Sequence, residues 1–285
     1  MRYKLMRYKL LSSLAATLCV GGAQVLWAAD MPLKEPVIPA PAYNWAGWYV
    51  GGNIGYGWGN NTNPTIAFFD PGVPLGGGVG FAPFFAAGGE QYQSLTPSGV
   101  IGGGQVGYDW ESPNAILGES RVVLGAVADF QGSGMKASGN TLVNLLGLSV
   151  DEPVSADIEW LGTVRGRLGL AQQNWFFYGT GGLAYGQVKS TVGFTIPDAA
   201  PGTFLMSGSQ TTTRTGWAAG AGGEYQITSH WSVGLEYLHF DLGTDSVTAF
   251  PVVNTTGILI PGTTSLSANQ KIEGDILRVT ANYRF

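Results

Sequence analysis

The last twelve residues, Gly274 to Phe285, alternate strictly. Leu277, Val279, Ala281, Tyr283 and Phe285 share one parity; Ile276, Arg278, Thr280, Asn282 and Arg284 share the other. Successive side chains of an extended chain point to opposite faces, so this segment is a strand with one apolar wall and one mostly polar wall. A soluble edge strand has the same alternation, and the rest of the chain has to decide between a water-facing and a lipid-facing apolar wall.

Composition bears directly on that decision. The 285 residues include 45 Gly and are 12% aromatic but only 12% charged, less charge than a soluble surface ordinarily carries. The mean hydropathy of +0.12 comes without a run of about 18 apolar residues beyond the leader, which suits strands apolar on one face rather than membrane-spanning helices. The formal charge is −5. Without Arg2, Lys4, Arg7 and Lys9 of the leader, 10 basic side chains face 19 acidic ones, a net −9 that excludes nucleic acid as the expected partner.

Residues 1–28 have the form of a secretory signal: a basic head, an apolar stretch from Leu10 to Val20, and the small-residue end Trp27-Ala28-Ala29-Asp30, with cleavage expected after Ala28. Met-Arg-Tyr-Lys-Leu occurs twice at the start, so Met1 and Met6 are both candidate starts. Cys19, the sole cysteine, lies in this leader behind Leu18 rather than a small residue, and reads as an ordinary signal residue; cleavage leaves no thiol for a disulfide, metal or nucleophile. Residues 29–44, with Pro32, Pro36, Pro39 and Pro41, read as an extended periplasmic tether ahead of a domain over 45–285.

Seven further strands precede the terminal one. In Asn44–Trp58, Trp48, Val50, Ile54, Tyr56 and Trp58 oppose Tyr49 and Asn53. In Gly99–Trp110, Val100, Val106, Tyr108 and Trp110 oppose Gln105 and Asp109, with a turn expected at Glu111–Asn114. In Glu119–Gln131, Val122, Leu124 and Phe130 oppose Arg121, Val123, Val127 and Asp129. In Asp157–Leu170, Ile158, Trp160, Val164, Leu168 and Leu170 alternate with Asp157, Glu159, Thr163, Arg165 and Arg167. Trp175–Gly186 is too glycine-rich for its faces to be told apart. In Thr211–Ile227, Thr215, Trp217 and Tyr225 oppose Arg214, Glu224 and Gln226. Trp231, Val233, Leu235 and Tyr237 then alternate with Ser232, Gly234 and Glu236. Short connections near 111–115, 171–174 and 228–230 alternate with long ones near 59–98, 132–156, 189–210 and 243–268. That rhythm describes an all-β transmembrane antiparallel up-and-down barrel of eight strands, with short periplasmic turns and long extracellular loops. Ile66–Asp70 with Val79–Ala86 would add a hairpin and make ten.

Trp45-Ala-Gly-Trp-Tyr-Val-Gly-Gly-Asn-Ile-Gly-Tyr56, Trp160–Gly169, Tyr178–Tyr185, Gly234–Gly243 and the terminal Tyr-Arg-Phe together resemble the alphaproteobacterial outer-membrane surface-antigen and opacity-type porin family, over roughly residues 44–285. The resemblance implies a small eight-stranded outer-membrane barrel of porin or surface-antigen type without enzyme activity. It departs from that family at His239, where a tyrosine is expected, and in its long apolar first loop. The aromatic carboxy-terminus resembles the assembly signal of such barrels, which assigns Tyr283 and Phe285 to recognition by the barrel assembly machinery. Outer-membrane lipid and lipopolysaccharide are the other expected partners; monomer and oligomer both stay open.

The chemistry of sites is sparse. His239 and Asp241 share a strand face, as an acid–base pair at the outer rim would require, but no nucleophile spacing accompanies them and they read as two polar residues at a strand end; His230 sits in a turn. Gly76–Gly80 and Gly102–Gly104 lack the Lys-Ser/Thr of a phosphate loop. Asp70, Glu90, Asp151, Glu152, Asp198 and Asp245 fall in expected outer loops without metal-ligand spacing and read as a solvated acidic surface, so neither metal nor cofactor is expected. The apolar stretch Val79–Ala87, with Phe81, Phe84 and Phe85, is expected to cover the barrel mouth rather than present a sticky surface.

The polar parity is where function concentrates. Asp109, Glu119, Arg121, Asp129, Glu159, Arg165, Arg167, Glu224, Glu236, Arg278 and Arg284 all point inward on these assignments, because a charge facing lipid is costly. The expectation is an ion-paired lumenal plug with Arg165 and Arg167 at its centre and Glu236 as partner. An eight-stranded lumen is just filled by side chains. A surface barrel with at most a narrow ion pore, supporting the envelope, is therefore the leading reading, ahead of a diffusion porin or an adhesin using its loops.

Overall fold

The computed structural model describes residues 43–60, 65–69, 95–117, 119–145, 148–195, 204–254 and 265–285. The expected leader, most of the expected tether and the Val79–Ala87 stretch lie outside these residues. The strands are β1 (Gly47–Gly59), β2 (Thr65–Phe69), β3 (Ser98–Leu117), β4 (Ser120–Leu145), β5 (Leu148–Gln172), β6 (Trp175–Thr195), β7 (Phe204–Gln226), β8 (Trp231–Asn254) and β9 (Ser265–Arg284). Every pairing is antiparallel; β1 and β3 to β9 pair in sequence order, and β9 returns to β1 to close a ring of eight. The closing register, Tyr49↔Arg284 to Gly59↔Gly274, uses the terminal segment along almost its whole length, and Phe285 N–H donates to the Trp48 carbonyl at 3.1 Å. The candidate strand at 66–70 exists as β2, but it adds no position to the ring: it pairs with the upper end of β9, on the edge β1 uses below and nearly in register with it; its proposed hairpin partner lies outside the described residues.

Two aromatic belts mark the lipid boundaries. Trp48 packs on Tyr108, Trp175 on Tyr225, and Trp231 on Tyr283 near the termini, with ring centroids 5.3, 4.7 and 5.3 Å apart. Higher up, Phe130, Trp160 and Tyr185 form a chain of ring contacts, and Trp217 packs on His239. Tyr225 and Trp217 lie eight residues apart on β7, and Trp175 and Tyr185 ten apart on β6. A tilted strand needs about 9–11 residues to cross a bilayer. Between the belts the outward side chains are apolar and open to the surroundings, with Ile54 at 63%, Leu183 at 67% and Leu235 at 55% exposure.

The strands do not stop at the upper belt. β4 has 26 residues and β5 25. At about 3.3 Å per residue and a tilt near 45° that is roughly 60 Å of height, twice the ~30 Å hydrocarbon layer. The segments 132–156, 189–210 and 243–268, expected as loops, are therefore mostly strand in their described residues. At the other end β3 runs through the expected turn at Glu111–Asn114 to Leu117, with an irregular ladder, before the chain reverses.

Above the belt the polarity of the wall inverts. Val154, Ala156, Ile158, Val192, Met206, Val247, Ala249, Leu266 and Ala268 are buried inside, while Ser209, Thr211, Thr213, Ser246 and Asn269 face outward. Water surrounds this part, so an apolar interior is favourable there, whereas lipid demands the opposite arrangement below. Bulges make the change possible. On β5 the inward parity is odd at Leu161, Thr163 and Arg165 and even at Val154, Ala156 and Ile158, and the register against β6 slips between Ile158 and Trp160. On β8 it changes at Gly243, whose φ of +77° is open to glycine, where the register against β9 slips between Asp241 and Thr244.

One seam interrupts the ladder. β7 and β8 pair from Gln226↔Ser232 to Trp217↔Asp241 and again at Ser207↔Phe250, with no ladder pair between. Arg214 bridges this stretch, its Nε and Nη2 donating to Asp245 Oδ1 at 3.0 and 2.6 Å, while Ser190 donates to Oδ2 at 2.6 Å.

Candidate functional site

Inside the membrane-spanning part, period-two alternation carries the polar parity of each strand into the lumen, and closure brings distant strands face to face. Two charge clusters result. The upper one joins Asp129 of β4, Arg165 of β5, Glu236 of β8 and Arg278 of β9. Arg165 Nη2 and Arg278 Nη2 each lie 2.9 Å from Asp129 Oδ2; Arg278 Nη2 is 2.9 Å from Glu236 Oε2, and Arg165 Nη1 contacts Glu236 Oε1. Thr163 donates to Asp129 at 2.8 Å and accepts from Arg165 Nε at 2.8 Å; Thr180 accepts from Arg165 at 3.1 Å. Two acids and two guanidinium groups make the cluster neutral, and each acid is shared by both bases.

The lower cluster joins Asp109 of β3, Arg167 of β5, Glu224 of β7 and Arg284 of β9. Arg167 forks over Asp109, Nε to Oδ1 at 2.7 Å and Nη2 to Oδ2, and its Nη1 donates to Glu224 at 2.6 Å. Arg284 reaches Asp109 at 2.9 Å and the Trp45 carbonyl. This planar, bidentate geometry is what a guanidinium offers and an ammonium does not. The Arg167 guanidinium also lies 4.5 Å from the Tyr49 ring centre and that of Arg284 5.1 Å from it, so the lower layer is sandwiched by aromatic faces. Gly125, opposite Asp109, and Gly107, crossed by the Tyr49 ring, leave room that a Cβ would fill.

Apolar layers close both ends. Below, Trp45, Val123, Ala171, Phe176 and Tyr178 pack together, joined by Tyr43 at the end of the expected tether; burial pushes the Tyr43 hydroxyl up, against the lowering effect of Arg284. Above, Ile101, Leu161, Leu238, Phe240 and Ile276 with their neighbours form a second apolar layer. The lumen is thus filled from end to end across the spanning region: apolar cap, two neutral ion clusters, apolar layer.

Of the eleven side chains expected to cluster inside, the structure brings together Asp109, Asp129, Arg165, Arg167, Glu224, Glu236, Arg278 and Arg284, all buried. Three are placed elsewhere. Glu119 is an exposed turn residue, because β3 extends past the expected turn and displaces the reversal to this position. Arg121 sits at the periplasmic rim, part exposed, and pairs with Glu111 at 3.1 Å. Glu159 occupies the β5 bulge and is exposed, since the extra residue turns its side chain out of the lumen. Glu111, read from sequence as a turn residue, instead receives the Trp45 N–H at 2.7 Å and ties the N-terminal segment into the base. Gln105, Gln131 and Asn282 are further lumen polar groups; Gln105 donates to Asn282 at 2.6 Å and Arg278 to Gln131 at 3.3 Å.

His239 and Asp241, read from sequence as two polar residues at a strand end, do not pair. His239 Nδ1 lies 2.9 Å from Asp275 on the neighbouring strand, and the Tyr237 hydroxyl donates to the same carboxylate at 2.6 Å; cross-strand neighbours are closer than same-face residues two apart. Asp241 instead faces Lys271 at 3.2 Å, and Glu273 with Asp241 raises the Lys271 pKa. Of the acids read as a solvated surface, Asp245 is buried and paired with Arg214. His230 stacks on Tyr283 with centroids 5.6 Å apart. Tyr283 and Phe285 end the closing strand, with Phe285 at 74% exposure and its ring edge-on to Tyr283 at 5.4 Å. No helix among the described residues is long and apolar enough to cross a membrane, and no group of three or more His, Cys, Asp or Glu among them is placed to hold a metal ion.

The sequence matches the family model of the outer membrane protein beta-barrel domain over residues 15–285. It is 36% identical over 246 residues to the 31 kDa outer-membrane immunogenic protein of Brucella melitensis biotype 1, covering 84% of this chain and 88% of the relative. Identity to the 25 kDa outer-membrane immunogenic protein of Brucella abortus biovar 1 is 24%, over 91% of this chain and 90% of that one. Among solved structures, the outer membrane protein OprG from Pseudomonas aeruginosa aligns at a TM-score of 0.36 and 14% identity, over 86% of this chain and 98% of that one.

Proposed function

The chain belongs to the outer membrane protein beta-barrel domain family, and on that premise we propose that it is a closed surface barrel which supports the envelope and passes at most small ions. The single observation that carries this reading is the pair of buried, internally neutral ion clusters. Each ties four strands together across the lumen, and apolar layers lie on both sides. A diffusion porin needs a wetted passage, and open channels are built from about 16–18 strands. An ion entering the eight-stranded lumen would have to part guanidinium–carboxylate contacts that have no ready replacement partner.

The barrel is a passive element in this reading: its stiffness comes from side chains that cross-link opposite walls, and its surface is offered by strands that project far beyond the lipid. The expected leader over 1–28 fits delivery to the outer membrane, with a mature start at Ala29 checked by intact mass. The functional test is planar-bilayer conductance of the refolded protein. Wild type should show at most small, brief events, and the Arg165→Ala, Arg167→Ala double variant, which strikes one base in each cluster, should raise small-ion conductance. Wild-type openings of general-porin size, or an unaltered double variant, would overturn the closed-plug reading.

A further inference from the structure

Above the upper belt, the outer wall of β4, β5 and β6 carries a groove of about 520 Å³ around Pro153. Proline has no N–H to give the ladder, and the β5–β6 pairing passes from Asp151↔Thr195 to Val154↔Val192 without pairs between. The opened wall is lined by Ser138, Asn140, Asp151, Pro153, Ser155 and Thr191. Asp151 Oδ1 is buried there without a hydrogen-bond partner, a state that costs free energy until a donor arrives.

We propose that this groove binds an uncharged sugar unit of the core oligosaccharide of lipopolysaccharide in the same leaflet. Three observations carry the assignment, which rests on the outer-membrane location and not on the closed lumen. The lining chemistry is the first. A carboxylate, an amide and three hydroxyls beside a flat pyrrolidine ring match a pyranose, which offers donors around an apolar face. Among the described residues no basic side chain lines the groove, and Asp151 would repel a phosphate. Height is the second. Pro153 lies seven residues above Trp160 on β5, which at about 3.3 Å per residue and a tilt near 45° is roughly 16 Å beyond the belt, in the sugar layer rather than the acyl layer. The third is the order of charge along that height. Between belt and groove the register sets Lys136 and Lys189 on either side of Asp157, facing outward across three strands. Apolar wall, then two lysines about an aspartate, then a polar groove whose one charge is the Asp151 carboxylate repeats the order of acyl chain, phosphate and sugar in a lipopolysaccharide molecule.

The test uses the refolded full chain and, as probe, core oligosaccharide released from rough-type lipopolysaccharide by mild acid and then dephosphorylated. Ligand-observed saturation-transfer NMR should show saturable binding, weakened by about tenfold to a hundredfold in Asp151→Ala, the range for a lost hydrogen bond to a charged group. Thr191→Val, on a different strand, should weaken it by a smaller factor and provides the readout if Asp151→Ala does not refold; Ser246→Ala on β8 should leave it unchanged. In bilayers, lipopolysaccharide should exclude the free probe and phospholipid alone should not, which separates the membrane's own sugar from a glycan of outside origin. Failure of the wild type to bind would overturn the proposal, as would equal binding by wild type, Asp151→Ala and Thr191→Val. Binding that requires added calcium would overturn it in favour of a cation site.

Discussion

Replacing Glu236 by Gln keeps the size and shape of the side chain and removes one charge from the upper cluster. Arg165 and Arg278 both contact this carboxylate and both are buried, so the variant leaves two guanidinium groups facing Asp129 alone. An unpaired buried charge costs about 3–5 kcal/mol, less where water enters. For a domain of this size each kcal/mol moves the midpoint by about 2–4 °C, so the unfolding temperature should fall by roughly 6–20 °C. A second change, Arg165→Met with Glu236→Gln, restores neutrality and leaves Asp129 paired with Arg278. Replacement of a whole buried pair is often close to neutral, so this double variant should recover most of the loss. Both are read by heat-dependent gel mobility and tryptophan fluorescence in the same detergent. If the single change costs less than about 1 kcal/mol, or if the double is no more stable than the single, net charge in the lumen is not what holds the cluster and the reasoning fails.

The remaining expectations concern the wall and the terminus. Phe285 is 74% exposed, so deleting it should cost at most about 1 kcal/mol of burial while sharply reducing insertion in cells; equal effects on cellular insertion and on refolding in detergent would refute a recognition role. Leu183→Arg, at 67% exposure on the lipid face between the belts, should destabilise the barrel by about 2–4 kcal/mol in bilayers, and a neutral result by denaturant titration would move the boundary of the lipid layer. Amide exchange at 208–216 of β7 should be faster than in the β6 segment it pairs with, because the β8 ladder is interrupted there; equal protection would mean the seam is closed in solution.

Alternation along the chain already specifies a ring of eight strands and most of its interior. Below the upper belt lipid and lumen impose opposite polarity on alternate residues, and an extended chain has a period of two, so Arg278, Arg284, Asp109 and Glu236 could be placed inward from parity alone. Parity misleads where the period itself is interrupted. An unrecognised bulge carried Glu159 to the wrong side, and above it water reversed the apolar face, so that Val154 and Ala156 read as loop and Ile158 as lipid-facing when all three form the interior of a projecting strand. Parity also cannot say which side chains meet. That Arg165 and Arg278 share the same two carboxylates, that Arg167 takes Asp109 and Glu224 together, and that His239 meets Asp275 instead of Asp241 are consequences of closure. These contacts join strands up to 149 positions apart in the chain, and only the stagger of the ring sets which inward residues share a level.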